Sequence, residues 1–430
     1  AYVKLPVPDR LVVRDTFTPM LAVGRWWKLA GVWLLYTAFG MHLASLAPLV
    51  AVIEPDLGMS HAAMGAVLGA WQFVYIFAAI PCGLLLDRLG TRSALFIGAL
   101  LMAASGLARG LAQDPGQLAL AVALFGLGGP LISAGAPKVV AEAFRGAQRG
   151  LAMGVYITGP GVGAILSLTL SNALLMPLFD GNWRLVVQFW GGISLAAGLF
   201  WLVVAGEPRV RPVREPAAGP FYRDVTELLS LPAVRLLLAM SIGVFVINHG
   251  LGNWLPELLR ATGMDLAQAS LLATVPVAVA ILSALTVPRL ATDQRRTRVL
   301  AALFLCSALG SGLLLGGQGL ALIGGLVFAG IAWGAMMTIL ILTMVEIPGV
   351  GARRAGTAGG LFFSVAEIGG VGGPVLLGLL YDRSGGFASS LWLLVLIALL
   401  LMVAVAPLRR YLGGQAPCKH RTLDEDRTSS

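Results

Sequence analysis

Apolar residues in this chain run in long, nearly unbroken stretches. They do not alternate as in a half-buried strand, nor form the single stripe of a surface helix. A bilayer core needs about 20 apolar residues per crossing helix. Twelve stretches meet that need: 29–53, 62–85, 93–112, 117–143, 150–176, 184–205, 234–258, 266–288, 299–316, 320–345, 355–381 and 387–408. Strands of a membrane barrel alternate lipid-facing and lumen-facing residues, and these runs do not. The expected fold class is all-α and integral to the membrane, with twelve transmembrane helices. The shortest break, Gly317-Gln318-Gly319, separates spans 9 and 10.

Composition narrows the picture. The 430 residues are 57% hydrophobic and 12% charged, against about 25% charged in a soluble domain. That excludes a soluble enzyme, a coiled coil, a disordered chain and a disulfide scaffold. Cys82, Cys306 and Cys418 stand far apart with no CxxC, so neither a disulfide framework nor a metal site is expected. The net charge of +9 would suggest nucleic acid in a soluble protein, but here the basic residues segregate. With an N-terminus inside, 26 of the 30 lysines and arginines fall on the inner side; only Arg109, Arg184, Arg260 and Arg383 fall outside. Basic residues are retained at the cytoplasmic face, so both termini are expected to be cytoplasmic and no nucleic-acid partner is needed. The opening segment carries five basic residues and no short apolar core with a cleavage site, so it does not read as a secretory leader.

The longest connection, rich in proline and charge, lies at 206–233. It divides the chain into a cytoplasmic segment 1–28, a six-helix bundle 29–205, a cytoplasmic loop 206–233, a second six-helix bundle 234–408 and a cytoplasmic tail 409–430. Within the loop, Phe221–Leu229 predicts a short amphipathic surface helix. Weak internal similarity supports duplication. Asp87, Thr91 and Arg92 match Asp293, Thr297 and Arg298 at an offset of 206, and Gly159-Pro160 matches Gly373-Pro374 at an offset of 214. The two bundles are therefore expected to be pseudo-symmetric.

Between spans 2 and 3 the chain reads G-x-x-x-D-R-x-G-x-R, from Gly83 through Asp87, Arg88 and Gly90 to Arg92. This closely resembles the signature of the major facilitator superfamily at the same place, and the twelve spans and long central loop agree with it. The resemblance implies the major facilitator fold and a charge cluster that latches the cytoplasmic ends of the two halves. Physically, Gly83 is expected to let a neighbouring helix approach, and Asp87 to pair with Arg88 or Arg92. Span 5 carries Gly159, Pro160 and Gly163, similar to a family motif commonest in antiporters, with Val155 and Ala164 where the family has glycine. Gly373 and Pro374 in span 11 complete a set of helix-packing residues: proline removes a backbone donor and glycine permits close packing.

Ionisable groups at membrane depth are functional candidates. Glu367, near the middle of span 11, is the proton-coupling candidate, because a carboxyl withdrawn from water can bind and release a proton in the working range. His42 in span 1, and Asn248 and His249 in span 7, follow. The resemblance implies that spans 1, 4, 7 and 10 line the solute cavity, which adds Tyr36, Asn253, Trp333 and Thr338. Each also has a plain packing role to set against function. Lys138 and Glu142, four residues apart, share one face of span 4 near its cytoplasmic end. The glycine strings lie at membrane depth with no preceding strand and there is no Walker lysine motif, so no nucleotide and no cofactor is expected.

No Arg or Lys stands in the middle of spans 1, 4, 7 or 10, which leans toward a neutral, weakly acidic or cationic solute. The stretch Asn253-Trp254-Leu255-Pro256 is loosely similar to the cyanate-permease and organic-solute branches of the family. The expected protein is a secondary active transporter of a small solute in the cytoplasmic (inner) membrane. It would work by alternating access, coupled to protons, and it is not an enzyme. The alternative is a transporter-like sensor, scaffold or assembly factor of a membrane complex.

Overall fold

A computed structural model describes residues 18–206, 221–347 and 349–413. Most of the N-terminal segment, much of the central loop and most of the tail, with Cys418, lie outside the described residues. Among the described residues eleven helices are long and apolar enough to cross a membrane. One of them, His61–Arg109, has 49 residues. At 1.5 Å per residue it would be about 73 Å long, more than twice the roughly 30 Å of a bilayer core. The backbone breaks inside it at Gly90, with φ 74° and ψ 165°, a region open in practice to glycine alone. Gly90 thus splits one helix into two antiparallel spans, and the count becomes twelve.

The spans are 1, Gly24–Leu57; 2 and 3, 61–89 and 91–109; 4, Pro115–Ala143; 5, Gln148–Leu178; 6, Trp183–Val204; 7, Pro232–Arg260; 8, Leu266–Leu290; 9, Arg296–Leu314; 10, Gly319–Val345; 11, Gly356–Ser384; and 12, Ala388–Leu412. Left-handed glycines at Gly317 (φ 65°) and Gly319 (φ 62°) turn span 9 into span 10. Six spans return each half to the side it started from. The start of spans 1 and 7 and the end of spans 6 and 12 therefore share one face, called here the terminal face; the other is the opposite face. The Phe221–Ser230 helix follows the central loop. It buries Leu228, and its Asp224 and Glu227 both pair with Arg354 at the start of the span 11 helix.

Glycine decides how closely the helices approach. In the first half Gly159 packs on the backbone of Trp33 and Thr37 of span 1, and Gly163 on Thr37 and Met41. In the second half Gly373 packs on the backbone of Val246 and Gly250 of span 7, and Gly369 on Ile242 and Val246. Gly159 and Gly373 are 214 residues apart, and Trp33 and Val246 are 213 apart. The same helix contact is therefore made twice, as expected of two pseudo-symmetric six-helix bundles. In lipid, where apolar side chains gain nothing by leaving it, such close backbone approach supplies much of the helix association.

Candidate functional site

The two halves meet along spans 2 and 11 and spans 5 and 8, and their contacts gather toward the opposite face. The backbone N–H groups of His61 and Ala62, at the start of span 2, donate to the two carboxylate oxygens of Asp382 of span 11 at 3.1 and 2.8 Å. A carboxylate at a helix N-terminus satisfies orphan donors and complements the helix dipole. The His61 imidazole lies between Tyr381 and Trp254, both parallel to it within 2°, at centroid distances of 3.8 and 5.1 Å. Its Nδ1 is 3.1 Å from Glu54 of span 1. On the other seam Asn172 of span 5 donates to Pro48 O at 2.7 Å and to Ser270 Oγ of span 8 at 2.8 Å. Toward the terminal face, a methyl added at Gly83, Gly154, Gly356 or Gly360 meets nothing within 4 Å. The named contacts between the halves therefore close the opposite face, and none of these four glycines is covered by the other half.

This geometry corrects two expectations about the signature. Gly83 has open space beside it, so it seats no neighbouring helix here. Asp87 pairs neither with Arg88 nor with Arg92: it accepts from Lys138 Nζ of span 4 at 2.6 Å. Arg92 instead donates to Leu202 O of span 6 at 3.3 Å, and its own carbonyl accepts from Trp201 Nε1 at 3.0 Å. Antiparallel packing brings Lys138 alongside the end of span 2, while the turn at Gly90 carries Arg92 onto the next helix.

At mid-depth, Glu367 is 4% exposed and its Oε2 has no hydrogen-bond partner. A methyl added at Gly370 would collide with that oxygen and lie 3.1 Å from Gln72 Cγ of span 2. Span 11 can therefore bring its carboxyl beside span 2 only because residue 370 lacks a side chain. Gln72 is fully buried, and its Nε2 lies 3.3 Å from Nδ1 of His249 in span 7. His249 also meets the rings of Trp71 and Phe245 at 5.8 and 5.4 Å. Glu367 thus lies near the Gln72 side chain, whose amide reaches across to His249 of the other half.

The remaining candidates scatter. Tyr36 stacks on Tyr156 at 5.8 Å and tilts against Phe39 at 5.5 Å. Asn248 Oδ1 and Trp333 Nε1 are buried without partners. Asn253 donates to His249 O of its own helix at 2.8 Å. Thr338 is half-buried, farther along span 10 than Trp333. His42 is 2% exposed, with neither ring nitrogen partnered, and it sits beside Arg109, one of the four basic residues on the side where such residues are scarce. Arg109, at the end of span 3, is 1% exposed and donates to His42 O at 3.1 Å and Ser45 Oγ at 2.9 Å. Its burial was not visible in the span pattern, although a basic residue on the face where such residues are scarce was a usable signal. Gln72, Glu54 and His61 were also missed, since each is an ordinary polar residue until its partner in the other half is known.

Twelve spans in two bundles, closed at one face around buried polar groups from both halves, define a membrane transporter. The chain belongs to the Major Facilitator Superfamily, whose sequence model matches residues 32–374. It is 26% identical over 385 residues to the uncharacterized transporter YycB of Bacillus subtilis (strain 168), covering 88% of this chain and 92% of the relative. It is 24% identical over 394 residues to the D-galactonate transporter of Escherichia coli O6:H1, covering 83% and 89%. In fold it is similar to the crystal structure of a bacterial homolog of the human lysosomal transporter Spinster. The TM-score there is 0.75 at 18% identity, over 92% of this chain and 99% of that one. The protein is a secondary transporter of a small molecule and a multi-pass membrane protein.

Proposed function

We propose that this transporter moves a small organic acid across the cytoplasmic membrane by alternating access, with both termini cytoplasmic and with protons as the coupling ion. The observation that carries the coupling is Glu367: buried, with an unpartnered oxygen, near the Gln72 side chain that bridges to His249. A carboxylate cannot stay charged and unpaired at that depth without large cost, so proton binding there is tied to the arrangement of spans 2, 7 and 11. Rocking of one half against the other would change that arrangement and hence the proton affinity. The 26 basic residues expected on the terminal face support the orientation. The carboxylate cargo named for the D-galactonate relative supports an acid as solute.

The test is uptake of labelled D-galactonate into proteoliposomes with and without an imposed pH gradient. Wild-type uptake should rise several-fold with the gradient. The Glu367→Gln protein should insert normally and lose the response. A mutant that keeps the full gradient response makes Glu367 structural and removes it from the coupling.

A further inference from the structure

We infer that Glu54 and His61 form a proton-binding site at the opposite face, filled when the two halves close on it. It is separate from Glu367, which lies at mid-depth in span 11. Three observations carry it. First, His61 Nδ1 lies 3.1 Å from Glu54 Oε2, a contact in which one proton can sit on either group. Glu54 Oε1 and His61 Nε2 are buried without partners. An ionised carboxylate with one oxygen left unbonded is costly to bury, and a bound proton removes its charge.

Second, the other half brings negative charge to this pair. The charged groups that face it across the seam are Glu257 and Arg260 of span 7 and Asp382 of span 11. Arg260 is engaged by Glu257, Nε donating to Oε2 at 2.8 Å. Three carboxylates thus gather around one guanidinium, and one bound proton relieves their repulsion. Tyr381 and Trp254 cover the two sides of the imidazole, with Phe387 at 6.0 Å; these rings exclude water and lengthen the reach of the charges. When the halves part, Glu54 and His61 stay together in the first half but meet water instead of these groups. Closing and proton uptake therefore favour each other. The pair also stays within reach of water: Asp382 is exposed, and the His61 and Glu54 side chains keep 14% and 10% of their surface.

Third, the matching seam closes without charge. Spans 5 and 8 correspond to spans 11 and 2 in the internal repeat, and there Asn172 joins Pro48 O and Ser270 Oγ, all neutral groups. Closure by itself needs no titratable pair, so the pair adds a pH response to one seam.

The experiment reads the separation of the halves in the purified full chain by pulsed electron paramagnetic resonance. Spin labels sit on cysteines at Gln113, between spans 3 and 4, and Gln318, between spans 9 and 10, both exposed, with the three native cysteines replaced. Glu367→Gln is present throughout, so the mid-depth carboxyl adds nothing to the response. One proton bound on closing changes the closed-to-open ratio by up to about tenfold per pH unit, so going from about pH 8 to about pH 5.5 should raise it about fivefold or more. Glu54→Gln combined with His61→Gln should leave a ratio that pH no longer moves. Each substitution alone should weaken the response, so either decides the matter should the double variant fail to fold. Asn172→Ala should lower the ratio equally at every pH and keep the slope, as any merely structural contact would. A response kept in full without Glu54 or without His61 would overturn the site, as would a ratio that pH leaves unmoved in the starting protein. A slope lost equally in Asn172→Ala would overturn it too, and none of these results touches the coupling role of Glu367.

Discussion

The imidazole of His61 lies flat against the phenol ring of Tyr381, 3.8 Å between centroids and parallel within 2°. One residue opens span 2 and the other closes span 11, so this single stack joins the two halves at the opposite face. Trp254 covers the second side of the imidazole, and Glu54 holds its Nδ1.

Removing that ring should loosen the closure. Each aromatic contact contributes about 0.5–1.5 kcal/mol beyond its area, and His61→Ala loses three, to Tyr381, Trp254 and Phe387. The opposite face should then open more often. The check is a single-cysteine reporter at Leu68, a buried residue of span 2, exposed in cells to a membrane-impermeant thiol reagent. Labelling should be several-fold faster in the His61→Ala background; an unchanged rate would show that the stack does not hold the closure.

The repeated glycine contacts predict matched costs. Gly163→Leu and Gly369→Leu both drive a side chain into the backbone of a facing helix. Each should destabilise by about 1–3 kcal/mol or more. Gly154→Leu, which meets open space, should leave thermal unfolding in detergent nearly unchanged. Equal effects at all three positions would sink the close-packing account.

The unpartnered carboxyl of Glu367 should cost stability in exchange for function. Glu367→Leu removes a buried polar group whose Oε2 makes no hydrogen bond, a burden of about 1–3 kcal/mol. Its unfolding midpoint should equal or exceed that of wild type while gradient-driven uptake falls. A midpoint well below wild type would mean that Glu367 has a structural partner after all.

Arg354 should hold the Phe221–Ser230 helix in place, since it pairs with both Asp224 and Glu227. Replacing it with Ala leaves Asp224 without its ion-pair partner and Glu227 with Arg223 of its own helix alone. Amide exchange in that helix should speed up by an order of magnitude while span 7 keeps its protection. Retained protection would assign the docking to the burial of Leu228 alone.

How much of this was legible beforehand follows from what a bilayer does to a sequence. It demands length and apolarity, so span number and depth were readable, and Glu367, His42 and His249 could be singled out by depth alone. Turn chemistry added Gly317 and Gly319, and the paired Gly-Pro motifs marked the duplication that the Gly159 and Gly373 contacts bear out in space. The charge partners were not readable. Asp87 was expected to meet its neighbours in sequence and meets Lys138 instead, and Arg109 figured only in the count of basic residues on each side. In water an amphipathic stripe tells which side of a helix faces inward. In lipid both sides are apolar, and that signal fades. Depth along each helix was therefore a property of the sequence, while rotation about its axis belonged to the tertiary structure. Rotation is what set Gln72 against His249, Arg109 against His42 and His61 against Tyr381, because small residues such as Gly370 allowed two backbones to close on one another.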